Sequence, residues 1–161
     1  MSADRVPLAI TTPDIKRPPK SLVEALKNIG SATASGELNR LGIKRTAIIG
    51  PVSHIPGKSI AGPALTLQFM PMREDMYPQA EYVAPEKQLH RHVLYHTQPG
   101  DIVVVDARGE MSSGVFGEMM MTYFKGRGGA GVVIDGCLRD IAEIKKLGLG
   151  LWIKGATPNF H

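Results

Sequence analysis

Apolar positions along the chain first follow a helical spacing and later shift to short continuous runs. Leu22, Val23, Ala25, Leu26 and Ile29 recur behind Ser21, a good N-cap, and ahead of Gly30, which predicts a helix over 21–29. A second helix is predicted from Thr33 to Leu41, stopped by Gly42. Upstream, Pro7, Pro13, Pro18 and Pro19 fix φ and remove donors, so residues 1–20 read as an N-terminal arm.

Beyond Gly42 the period changes. Thr46-Ala47-Ile48-Ile49 is a short predicted strand, 51–58 a connection rich in proline and glycine, and 61–69 a longer strand. Met70 to Pro85 is broken by prolines and reads as loop, and Glu86 to Tyr95 as helix. Pro99-Gly100-Asp101 turns into an apolar strand from Ile102 to Asp106. A helix over 117–124, a buried strand over 131–134, a helix over 140–147 ended by Gly148, and a strand over 149–153 follow. Strands alternating with helices predict one layered α/β domain over 21–161, its central sheet covered on both faces.

Composition narrows the classes. With 161 residues, 43% apolar and 21% charged, the chain has enough apolar side chain to offset chain entropy. No apolar run approaches the roughly 18–20 residues that span a bilayer, and no signal-peptide core follows Met1, so the expected location is cytoplasmic, away from membranes. Nineteen basic and fifteen acidic residues leave +4, scattered rather than striped, which argues against nucleic acid as a partner. The single cysteine, Cys137, excludes an intrachain disulfide and reads as a small buried residue. Eighteen glycines and twelve prolines imply many tight turns and close backbone approaches.

Several constellations have structural explanations. Gly126-Arg127-Gly128-Gly129-Ala130-Gly131 satisfies G-x-G-x-x-G, but it follows a helix and precedes a strand, the reverse of a dinucleotide loop. It reads as a tight αβ connection. His92 and His96, at i and i+4, share a helix face with His90 elsewhere, and the cluster reads as half-solvated surface. Met119-Met120-Met121 reads as helix packing, Asp101 as a turn residue, and Asp106 as the carboxyl end of a strand.

Asp135-Gly136-Cys137-Leu138-Arg139-Asp140 is more informative, because it follows the strand over 131–134 where sites gather in α/β sheets. Gly117-Glu118-Met119-Met120 enters a second helix, whose free N–H groups suit a carboxylate. Two carboxylates and an arginine between helix starts suit a divalent cation and an anionic oxo acid.

The order of these motifs resembles the RraA-like family, which includes regulators of ribonuclease activity A and 4-hydroxy-4-methyl-2-oxoglutarate aldolases. The likeness rests on Gly36-Glu37-Leu38-Asn39-Arg40-Leu41-Gly42, Ala61-Gly62-Pro63-Ala64-Leu65-Thr66, Pro99 to Asp106, Gly117 to Met120 and Gly129 to Asp140. Glu118, twenty intervening residues, Arg139-Asp140 and then Glu143 match the spacing that marks the family's aldolases. The resemblance implies that Asp140 ligates Mg²⁺ or Mn²⁺ and that Glu118 holds the metal's water shell. It further implies that Arg139 contacts the pyruvyl oxygen, and that the N–H groups of Met119 and Met120, behind Gly117, receive the substrate carboxylate. The implied activity is cleavage of 4-hydroxy-2-oxo-dicarboxylates to pyruvate through a metal-stabilised enolate, with oxaloacetate decarboxylation at the same site. The Asp after Arg139 favours this over a non-catalytic ribonuclease regulator, since regulator-type members often lack it. Demethylmenaquinone methyltransferase, an older name for some members, finds only Gly109 and Gly114 after the strand at 102–106. The family also implies a homotrimer or hexamer. It implies further strands beyond 153, so the C-terminal strands are expected to be missing here and a sheet edge left unpaired.

Overall fold

A computed structural model describes residues 12–70 and 88–160 of the chain. Two helices come first, α1 (Lys20–Lys27) and α2 (Ser31–Arg40), and neither contributes a buried residue. They are followed by β1 (Val52–Ser53), β2 (Ala64–Gln68), α3 (Leu89–Tyr95), β3 (Ile102–Gly114) and α4 (Glu118–Gly126). β4 (Gly131–Leu138), α5 (Ile141–Lys146) and β5 (Gly150–Ala156) complete the order.

The five strands form one sheet in the order β1-β5-β4-β3-β2. β2, β3, β4 and β5 are mutually parallel, and β1 pairs antiparallel on the outer edge of β5 through Val52↔Ile153 and Ser53↔Trp152. That short strand pairs with the outer edge of β5 over two residues. The parallel register aligns Leu65, Val103, Val132 and Leu151 in one row, with Leu67, Val105, Ile134 and Ile153 in the next. Val93 and Leu94 of α3, Met121 and Phe124 of α4 and Ile144 of α5 join the same buried core. Apolar area removed from water at roughly 25 cal/mol/Å² makes this layer the main source of stability.

The opposite face departs from the sequence reading. Its row of Thr66, Val104, Val133 and Trp152 is exposed or half-buried, so the described residues cover the sheet fully on one face alone. α1 and α2 do not close the gap: Leu22, Leu26 and Ile29 stay exposed.

Other elements shift for local reasons. The predicted strand at 46–49 is not one; Ile48 and Ile49 are exposed and β1 forms at 52–53 instead. β3 runs eight residues past Asp106, because Arg108 and Gly109 adopt positive φ and the chain re-pairs through Glu110↔Gly136 and Gly114↔Cys137. The expected loop over 71–85 and the predicted helix start at 86–87 lie outside the described residues.

The arm is pinned where it meets the domain. Arg17 donates from Nε and an Nη to the fully buried Asp101 carboxylate (2.7–3.1 Å) and to the His96 carbonyl. Asp101 also accepts the Gln98 N–H, so it closes the expected turn and anchors the arm as well.

Candidate active site

Two chain segments meet at the carboxyl end of β4. The first is the loop from Gly114 to Gly117, which hydrogen bonds alongside the strand: Val115 N–H donates to Cys137 O (2.9 Å) and Arg139 N–H to Phe116 O (3.0 Å). Phe116 is fully buried and holds this loop to the core. The second segment is Arg139-Asp140. β4 extends to Leu138, so Asp135 to Leu138 are strand residues, and only Arg139 and Asp140 lie beyond the strand end. The sequence reading ended the strand at 134. The Gly136 and Cys137 positions sustain pairing because the returning part of β3 meets them.

Asp140 is the residue before α5, yet its side chain makes no capping bond to that helix. Its backbone is left-handed (φ 53°, ψ 35°), a conformation Asp tolerates better than most side chains. Oδ2 instead accepts the N–H of Glu118, the first residue of α4, at 3.1 Å. Asp140 thus caps the neighbouring helix rather than its own. One carboxylate joins the two helix starts, and the positive end of the α4 dipole favours its charge.

Close approach explains the glycines. A Cβ on Gly117 would lie 2.9 Å from both Arg139 Nη2 and Asp140 Oδ2, and one on Gly114 would run into Arg139 Cγ. Neither glycine has positive φ, so the requirement is space. The Arg139 guanidinium lies 5.3 Å from the Phe160 ring centroid, a cation–π distance. Phe160 is placed by the bonds of Thr157 N–H to Leu138 O and Gly114 N–H to Asn159 O. Sequence reasoning found neither Gly114 nor Phe160 as site residues. Gly114 carried a signal as a second glycine three positions before Gly117, whereas an isolated Phe near the chain end carries none.

The first bond of the α4 ladder is Met121 N–H to Gly117 O (3.1 Å), so the N–H groups of Met119 and Met120 precede it. The methionines divide by role: Met121 is buried, Met120 half-buried and Met119 86% exposed, so Met119 is not the packing residue expected. Glu118 and Asp140 are exposed and Arg139 is half-buried. Glu143, in the first turn of α5, pairs with Lys146 at 2.6 Å.

Among the described residues no group of three or more His, Cys, Asp or Glu side chains is placed to hold an ion. Asp140 and Glu118 are therefore a sparse donor set. That set fits Mg²⁺ or Mn²⁺, which bind through one or two carboxylates while keeping several waters, and suits neither Zn²⁺ nor a protein cage for Ca²⁺.

The remaining sequence candidates resolve as structure. The glycine-rich loop joins α4 to β4, with Gly128 against Pro99, Gly129 against the Phe124 ring and Gly131 against the Gly150 backbone. His90 is buried, with its ring 6.2–6.4 Å from the Phe69 and Phe116 rings, contrary to the expected surface position. His92 and His96 do share a face, where Thr12 Oγ1 lies 3.3 and 3.0 Å from their ring nitrogens. Cys137 is buried as expected, and burial raises its thiol pKa. Asp106 accepts hydrogen bonds from Arg108 N–H and Gln68 Nε2 and is held below the usual carboxylate range, mainly by the former. Among the described residues, no helix is long and apolar enough to cross a membrane.

A family model described as RraA-like, Aldolase/RraA, matches residues 22–161. The chain is similar to a crystal structure of Streptomyces coelicolor RraAS2, described as an unusual member of the RNase ES inhibitor RraA protein family. Identity there is 43% and the TM-score 0.79, covering 89% of this chain and 68% of that one. It is 36% identical over 64 residues to a putative 4-hydroxy-4-methyl-2-oxoglutarate aldolase of Halalkalibacterium halodurans, covering 40% of this chain and 30% of that protein. A putative 4-hydroxy-4-methyl-2-oxoglutarate aldolase 1 of Arabidopsis thaliana is 28% identical over 127 residues, covering 78% and 67% respectively. The match thus spans less than a third of the first of these aldolases and about two thirds of the second.

Proposed function

This chain belongs to the RraA-like family, and from that premise we propose that it is a divalent-metal-dependent lyase. It cleaves 4-hydroxy-2-oxo-dicarboxylates of the 4-hydroxy-4-methyl-2-oxoglutarate type to pyruvate, and it decarboxylates oxaloacetate. The observation that carries this reading is the bond from Glu118 N–H to Asp140 Oδ2, which sets Arg139-Asp140 against the start of α4. The names of the aldolase relatives agree with it.

In this reading Asp140 holds Mg²⁺ or Mn²⁺, with Glu118 reaching it through water, and the ion supplies electrophilic polarisation of the 2-oxo acid. The chain's own groups do the rest. The N–H groups of Met119 and Met120 receive the substrate carboxylate at the positive end of α4. Arg139 points its guanidinium at the keto oxygen. When the 4-hydroxyl loses its proton to solvent at the Glu118 carboxylate, the C3–C4 bond breaks and C4 leaves as a carbonyl compound. The bonding pair passes to C3 and the keto oxygen, giving a pyruvate enolate whose charge faces Arg139. Protonation at C3 completes pyruvate. Loss of CO₂ from oxaloacetate leaves the same enolate, so one site serves both reactions. The reaction needs no Schiff-base lysine. We assign the working assembly as a homotrimer or hexamer.

The test is pyruvate release from a panel of 4-substituted 2-oxo acids and oxaloacetate, with Mg²⁺ and with chelator. Release above the metal-only background supports the reading. The similarity to RraAS2 favours a second reading, a non-catalytic regulator of a ribonuclease. Inhibition of a ribonuclease in a purified assay, with no pyruvate formed from any acid, would select it.

A further inference from the structure

We propose that this chain carries a second binding site, for an organic anion with an apolar body, at the end of the sheet opposite Arg139-Asp140. A pocket of about 400 Å³ opens there between α1, the connection before β2 and the loops that lead into β4 and β5. Its position is set by the parallel topology. Gly129-Ala130 and Gly148-Leu149 line it just before β4 and β5 begin, whereas Arg139 follows the end of β4. Eight strand residues separate the two ends, roughly 25 Å at the rise of a parallel strand.

The lining combines two chemistries. Leu26 of α1 and Ile29, just past the end of that helix, are 42% and 43% exposed and form one wall, with Leu149 among the apolar groups facing them. Lys27, Lys58 and Lys125 are among the lining residues, and no Asp or Glu lines the pocket. Lys27 reaches Glu24, on the exposed side of α1, at 2.7 Å. Lys58 and Lys125 make no ion pair among the described residues. With no carboxylate in the lining, Lys58 and Lys125 leave the concavity positively charged, and an anion balances that charge while its apolar body removes Leu26 and Ile29 from water.

The size fits a small organic ligand, and the charge selects its class. A carboxylate and a phosphate monoester share the required chemistry, a compact anionic head on an apolar body. A second copy of the chain is a poorer occupant, because it brings a net charge of +4 to a lysine-lined wall.

Calorimetric titration of the full chain, without metal or 2-oxo acid, separates this site from the proposed lyase centre. Octanoate and octyl phosphate are the probes, with octan-1-ol testing the apolar body alone and inorganic phosphate the charge alone. We expect saturable one-to-one binding of at least one amphiphilic anion, at least tenfold tighter than either control. The tighter of the two anions identifies the head group. The Lys58→Glu/Lys125→Glu variant should weaken binding at least tenfold, and Lys58→Gln/Lys125→Gln by less, both with the parent's melting temperature. Equal binding of octan-1-ol, no saturable binding of either anion, or undiminished binding by a folded double-Glu variant would overturn the proposal. So would concentration-dependent self-association that protects Lys58 and Lys125 from amine labelling and is unaffected by the anions.

Discussion

Arg139 and Asp140 are adjacent in sequence but do different work. In the proposed reaction Arg139 supplies the charge that faces the enolate, and its rigid fork fixes that charge in direction. Arg139→Ala should lower kcat for pyruvate release by about 10²–10³-fold, the usual cost of one such donor. Arg139→Lys should recover only part of the loss, since a point charge lacks the fork. Gly117→Ala tests the packing beneath both residues, because the new Cβ would displace Arg139 Nη2 and Asp140 Oδ2. A displacement near 1 Å should cost roughly 10²-fold in kcat. The control is Gly36→Ala in α2, where nothing lies within 4 Å; activity should be unchanged and stability raised by up to about 1 kcal/mol. Steady-state kinetics beside thermal melts separates these outcomes. At this scale the spacing was legible in the sequence, since the start of α4 and Arg139-Asp140 do meet. It was silent on direction: a left-handed Asp140 that caps a different helix depends on tertiary contacts.

Elements with a clear apolar period and a glycine stop formed where the sequence placed them, and α1, α2, α4 and α5 differ by only a few residues. Those that moved did so through pairing. β3 and β4 extend because each supplies the other's partners beyond the apolar runs, whereas Ile48 and Ile49 lack a neighbouring strand despite their β propensity. The arm is anchored by the Arg17–Asp101 ion pair, with Ile15 packed against the core, and a single apolar residue among prolines leaves no period to read. Arg17→Ala leaves the fully buried Asp101 carboxylate without its ion pair, and should destabilise the chain by about 3–5 kcal/mol in denaturant melts. Asp101→Asn removes the charge and should cost less. Arg17 also pairs with Asp14 at 2.9 Å and holds its carboxyl below the ordinary value. A depressed folded pKa contributes stability above the unfolded pKa of about 4 and loses it as pH falls through the folded value. Proteolysis near residues 12–17 should therefore accelerate below about pH 4 while the sheet remains folded.

For the molecule as a whole, the parallel sheet separates two chemistries. Its carboxyl end gathers carboxylates, an arginine and free N–H groups, while its amino end gathers lysines around an apolar pocket. α4 reaches both, from Glu118 at one to Lys125 at the other. The α/β class was legible from the alternation of short apolar runs with helical periods. The half-open sheet face was not, because Val104, Val133 and Trp152 read as core wherever their covering layer lies. Light scattering should report a homotrimer or hexamer at micromolar protein, and a monomer would remove that part of the proposed function. In the proposed reaction Asp140 couples a divalent cation to pyruvate formation. Its most direct test is oxaloacetate decarboxylation measured against Mg²⁺ concentration for the parent and for Asp140→Asn. Saturable Mg²⁺ activation is expected in the parent, with loss of activation in a variant that still melts cooperatively. Equal activation of both proteins would contradict it.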